Sequence, residues 1–158
     1  MPDAAALAAA AQILIRIDTG EKNTAQELDE LWAQLPTVRI EEILGSWRGG
    51  ELPTGHPMDG QLEQVGWYGK NFISRTNVQP LVCRNADGEL YSNKELGKGE
   101  ASLWHVEFRG EVTASMVYDG QAVIDHFKRV DDRTLMGIMN GKSSLVRDHH
   151  FYFYLVRD

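Results

Sequence analysis

The sequence predicts a mainly β protein: an antiparallel barrel of about seven or eight short strands, with helices at its N-terminal end. Three observations lead there. The apolar period is 3.6 residues as far as Pro36 and becomes 2 from about residue 43 onward. Turn-forming pairs, Asp87-Gly88, Asp119-Gly120, Asp131-Asp132 and Asn140-Gly141, cut the second part into short runs. The runs read as strands carry no proline or inward lysine of the kind that defends an exposed sheet edge, which favours closure over an open sheet. With 158 residues and 42% hydrophobic content the chain suits a single domain over 1–158, helical over 1–36 and a barrel over 43–158.

The elements follow in order. "MPDAAALAAAAQILIRID" reads as an Ala-rich helix: it carries Asp3, lacks the basic start of a targeting segment, and its apolar run is too short to span a bilayer. After Thr24, the residues Leu28, Leu31, Trp32 and Leu35 form one apolar helical stripe. Thr24 and Glu27 make a capping-box pattern in front of it, and Pro36 ends it. A single stripe must lie on something, either a sheet or one end of a barrel. A strand is expected around Trp47, then strand–turn–strand in "LVCRNADGELYS". In "SLWHVEFRG", Trp104, Val106 and Phe108 alternate with Leu103, His105 and Glu107. "EVTASMVYDG", "QAVIDHFKRV", "TLMGIMNG" and "HFYFYLVRD" continue the alternation.

Sixteen basic against twenty-three acidic residues give a net charge of −7, and no basic run interrupts it, so nucleic acid is not an expected partner. Cys83 is the only cysteine, which excludes an internal disulfide and a thiolate zinc site and fits a reducing cytoplasm. No phosphate-binding loop, dinucleotide glycine motif or nucleophile elbow occurs. His105, His126 and His150 show no metal-ligand spacing and no haem-attachment motif is present, so no metal and no cofactor is expected.

The string Gly45, Trp47, Gly49, Glu51, Thr54, Gly55, His56, Pro57, Asp59 and Gly60, followed by Gly66-Trp67-Tyr68-Gly69-Lys70 and Phe72, resembles the bacterial family of uncharacterised proteins named after the GXWXG motif. "VYDGQAVIDHFKRVDDRTLMGIMNGK" and "YFYLVRD" look like the domain that usually follows that motif, so the likeness spans about residues 25 to 158. It implies a lipocalin- or calycin-like barrel, with Trp47 plugging one end of the first strand. Barrels of this kind bind apolar ligands. The family is also similar to a bacterial enzyme that opens a monoterpene epoxide without a cofactor.

Three groups of residues are candidates for chemistry. His56 and Asp59, with Glu51 before them, lie in a Gly/Pro-rich stretch that could aim them into a barrel mouth, Asp59 orienting the imidazole as a general acid or base. The alternative is that Thr54 and Asp59 cap turns and His56 bonds to local backbone. Asp125 is the second candidate. With Val123 and Phe127 inward, its carboxyl group sits among apolar groups and becomes a proton donor. The opposite orientation turns Ala122, Ile124 and His126 inward and leaves Asp125 paired with Arg129 at the surface. The first is preferred, because Lys128 shares a face with His126 and would otherwise be buried as well. The third group is Trp67, Tyr68, Lys70 and Phe72: Lys70 could hold a polar head, while a short helix or corner packing Trp67 and Phe72 into the core is the plainer reading.

Two functions fit. One is binding of a small hydrophobic molecule in the barrel interior, with Trp47, Trp67, Tyr68 and Phe127 as apolar wall and Glu51, Lys70, His105 or Tyr118 orienting the polar end. The other is a cofactor-free lyase or isomerase using His56, Asp59 and Asp125 on a small hydrophobic substrate such as a monoterpene epoxide. A second copy of the chain is a further candidate partner. A cavity of about 300 Å³ or more containing a carboxyl group supports catalysis, whereas a packed interior removes both readings.

Overall fold

A computed structural model describes residues 3–142 and 149–158. Helix α1, Ala4–Thr19, starts at Asp3, whose side chain accepts from the Ala6 amide, and stops at Gly20 in the left-handed conformation. It buries Ala6, Ala9, Ala10 and Ile13, one face at helical spacing. In α2, Ala25–Gln34, both halves of the Thr24–Glu27 capping box form, a pairing that stabilises a helix start by about 1 kcal/mol. The stripe of α2 does not close a barrel end. Leu28 and Trp32 pack with Ile13 against Val130, Met136, Ile138 and Tyr152, on the outer wall of the sheet.

Nine strands follow: β1 Gly45–Glu51, β2 Trp67–Ser74, β3 Asn77–Arg84, β4 Leu90–Ser92, β5 Ala101–Phe108, β6 Glu111–Tyr118, β7 Ile124–Asp131, β8 Thr134–Asn140 and β9 Phe151–Arg157. Eight of them close an antiparallel barrel in the order β1-β2-β3-β5-β6-β7-β8-β9, with β9 returning to β1. Strand β3 changes partner along its length, meeting β5 at Val78–Ala101 and the short β4 from Val82 to Arg84. Two details differ from the sequence reading. The group Trp67–Phe72 is a strand, not a helix or corner, and β3 begins at Asn77, so Pro80 lies within it.

The barrel has one closed and one open end. At the closed end, the short helix α3, Ile40–Ile43, and Val38 join Trp47, Phe72, Leu103, Met116 and Phe127 in the interior core. Trp47 donates to the Ile43 carbonyl at 2.8 Å and carries the Arg157 guanidinium over its ring. At the other end, the β1–β2 connection with α4, Gln61–Gln64, arches over the interior, beside α5, Lys94–Gly97. No helix among the described residues is long and apolar enough to cross a membrane.

Candidate functional site

Two strands that are not neighbours bring a lysine and an aspartate together inside the barrel. In β7 the alternation is regular: Asp125 and Phe127 point inward. In β2 the pairing with β3 shifts register between Trp67 and Gly69 and again before Asn71. Such irregularity lets residues of opposite parity, here Trp67 and Lys70, face the same space. Lys70 Nζ lies 3.2 Å from Asp125 Oδ2, with the two side chains 3% and 1% exposed. Nζ also donates to the Pro80 carbonyl at 3.2 Å and sits 5.5, 5.7 and 5.3 Å from the ring centres of Trp67, Tyr118 and Phe153. Apart from this contact with Lys70, neither Asp125 oxygen has a hydrogen-bond partner among the described residues. A buried carboxyl group with one polar neighbour leaves acceptor capacity unfilled, which is costly and makes it a candidate for completion by a ligand.

Burial dominates the titration of this group. It pushes the Lys70 ammonium below its ordinary range, opposed by the charge of Asp125. It pushes the Asp125 carboxyl upward, opposed by Lys70. Tyr118 is driven well above the usual phenol range by burial, with the Asp125 charge adding to it. The pair can therefore hold a polar atom or exchange a proton with one.

The pair lines a cavity of about 170 Å³ whose wall is otherwise mostly apolar. Leu62, Trp67, Leu81, Tyr118, Phe151 and Phe153 form the wall, and exposed Gln61, Val65 and Leu96 stand at its rim. The volume falls short of the 300 Å³ expected for a catalytic pocket. Phe72, Leu103, Met116 and Phe127 fill the lower part of the barrel, with Phe127 wedged between Phe72 and Phe153.

The remaining sequence candidates lie elsewhere. His56 is buried in the β1–β2 connection, its Nδ1 accepting from the Met58 amide at 3.0 Å and its ring edge-on to Phe151. Asp59 Oδ2 accepts from the amides of Thr54 and Gly55. Neither residue is among those lining the cavity, so the structure does not bring them to Asp125. Glu51 accepts from the Gly60 amide at 2.8 Å, with its carboxyl raised by burial. These bonds hold the connection in shape. Tyr68 donates to Asp158 and stacks beneath Arg84 on the outer surface. His105 Nε2 accepts from the Ile40 amide and so caps α3 at the closed end, away from the cavity. Trp47 is the end plug, and Trp67, Lys70 and Tyr118 are on the cavity wall.

Sequence reasoning did not single out Met58, Leu62, Met139, Phe151 or Phe153 as lining residues. The alternation of Phe151, Phe153 and Leu155 in "HFYFYLVRD" carried that signal for β9. On the outer face of β7 lies another polar cluster. His126 Nδ1 is 2.8 Å from Ser115 Oγ and Nε2 is 3.1 Å from Asn140 Nδ2, with the ring stacked on Phe108. Ser115 already donates to the Thr113 carbonyl, and Asn140 Oδ1 already accepts from Gly141, so the imidazole is neutral with its proton on Nδ1. No group of three or more His, Cys, Asp or Glu among the described residues could hold a metal ion.

Fold and site define a closed eight-stranded antiparallel barrel with an ionisable pair in its interior wall. The chain belongs to the family of proteins that join a GXWXG domain to DUF4334: the model described as "GXWXG protein" matches residues 30–88, and the domain of unknown function DUF4334 matches 99–157. A crystal structure of a protein from Thermomonospora curvata is similar, with 39% identity and a TM-score of 0.87 over 95% of this chain and 98% of that one. No curated protein matches. Lys70 falls within the first matched segment and Asp125 within the second, so the site is assembled only when both fold together.

Proposed function

We propose that the barrel binds one small, mainly apolar molecule whose single oxygen-bearing group is held by Lys70 and Asp125. The observation that carries this reading is the buried Lys70–Asp125 pair, whose carboxyl group has no hydrogen-bond partner besides Lys70 among the described residues, on the wall of an otherwise apolar cavity of about 170 Å³. A dry cavity of about 150 Å³ accepts a single aromatic ring, which sets the size class of the ligand.

A second reading, a cofactor-independent lyase or isomerase, is favoured by one further feature. Two titratable groups 3.2 Å apart are displaced toward each other's range, which favours a protonated carboxyl group beside a neutral amine, an acid and a base within reach of one ligand. Protonated Asp125 would give its proton to an epoxide oxygen as the C–O bond breaks. The Lys70 amine would take a proton from the adjacent carbon and return it to Asp125.

Both readings meet one set of measurements. In a tryptophan-fluorescence titration, benzyl alcohol should bind at least about tenfold more tightly than toluene. That preference should vanish in the double variant Lys70→Met, Asp125→Leu, which removes both charges together and so leaves no unpaired one. Absence of binding by either probe refutes the binding reading. For catalysis, Asp125→Asn should lower turnover of a monoterpene epoxide by more than about 100-fold while His56→Ala retains it. The reverse pattern places the acid in the β1–β2 connection.

A further inference from the structure

We propose that Lys70 captures small apolar aldehydes and ketones as a covalent imine inside the barrel, with Asp125 as its proton partner. This names a ligand class for the cavity and rests on the reading that the cavity takes a small apolar molecule. Of the six lysines in the chain, Lys70 and Lys128 are buried. Their surroundings differ. Lys128 is held outside the barrel beneath α2 by the Trp32 carbonyl and Glu111. Lys70 lines a cavity, so a carbonyl carbon can reach its nitrogen, and its polar neighbours among the described residues are the Pro80 carbonyl and Asp125.

Three features of the wall suit imine formation. Burial favours the uncharged amine, which is the nucleophile. The Asp125 carboxyl, 3.2 Å away, supplies the proton that the carbonyl oxygen needs in order to leave as water. The rings of Trp67, Tyr118 and Phe153, all within 5.7 Å of Nζ, stabilise the cationic product as they would an ammonium.

The step balances. The neutral Lys70 amine attacks the carbonyl carbon, a C–N bond forms, and the oxygen takes the Asp125 proton and then one from nitrogen. Water departs, leaving a protonated imine on Lys70 and a carboxylate on Asp125. The iminium N–H then stands beside that carboxylate, whose oxygens have no other hydrogen-bond partner among the described residues. No oxidant or reductant is involved.

The test is trapping. The full chain is incubated with benzaldehyde and sodium cyanoborohydride, which reduces an imine to a stable amine, and the adduct is located by peptide mass spectrometry. The expected result is a single benzyl adduct at Lys70, formed at least tenfold faster than at Lys22, Lys94, Lys98 or Lys142, with Lys128 unlabelled. Benzyl alcohol should protect Lys70, Asp125→Asn should slow labelling at least tenfold, and Lys70→Arg should abolish it. Labelling spread evenly over the exposed lysines, or absent at Lys70, overturns the proposal. If benzyl alcohol binds while Lys70 stays unlabelled, imine capture fails and the cavity reading survives; if benzyl alcohol does not bind, the cavity reading fails too. The wild-type labelling map decides the outcome even if Lys70→Arg does not fold.

Discussion

Asp125 and His126 stand next to each other in β7 and meet opposite surroundings, because successive strand residues face opposite sides. Asp125 enters the cavity, whereas His126 is enclosed beneath Phe108 and bonded at both ring nitrogens. A second ring proton on His126 would point at the Asn140 amide, which is itself a donor. Burial, with the nearby positive groups His150 and Arg109, lowers the His126 pKa to about 4. Between that value and about 6.5 the unfolded chain binds a proton that the folded chain does not, so stability falls as pH drops through this window. The loss should approach about 3 kcal/mol, and the fall in Tm from pH 7 to pH 4.5 should be smaller in His126→Gln than in the parent. Equal pH slopes in the two proteins would remove His126 as the source. Much at this scale was legible: the alternation in "VIDHF" left two faces to choose between, and the structure turns Asp125 inward. The reason offered for that choice does not hold, since Lys128 is buried in any case beneath α2. Sequence alternation identifies two faces; it does not say that helices elsewhere in the chain will cover the outer one.

Among the elements, β1 and β2 do most to shape the cavity. Gly45 adopts a φ of +133°, a region L side chains avoid, where β1 begins beside Arg157. Gly49 serves differently: a Cβ there would lie 2.1 Å from the Trp67 ring, so the indole that walls the cavity rests directly on the backbone of β1. Gly49→Ala should displace Trp67, lower stability by about 1–3 kcal/mol and weaken benzyl alcohol binding at least about tenfold. Near-ultraviolet circular dichroism and probe titration check this; an unchanged aromatic spectrum with unchanged binding would refute the role. The GXWXG spacing was legible as a first strand with a tryptophan plug. The use of its last glycine was not, because Trp67 reaches it only through the pairing of β1 with β2. The same limit applies to Lys70 and Asp125, which the sequence offered as separate candidates. Their meeting depends on barrel closure and on the register shifts of β2, neither of which leaves a mark on local periodicity.

Across the whole molecule, the two segments matched by separate family models form one closed sheet. Strand β1 of the first pairs with β9 of the second, and β3 meets β5 at the other seam. Dividing the chain exposes both seams as unpaired edges and strips Lys70 of its counter-charge. Fragments 1–88 and 99–158, prepared separately, should therefore show no cooperative unfolding transition by circular dichroism. A cooperative transition in either one would show that the halves are independent.

The cross-barrel pair also bears on inheritance. A lysine encoded in one half of the gene and its aspartate in the other make recombination between relatives hazardous. A crossover near residues 89–98 would preserve both domains as sequences, yet could join a half carrying the cation to one lacking the anion, leaving a stranded charge in the interior. Selection then acts on the two halves as one heritable unit, which gives a physical reason for the two domains to travel together.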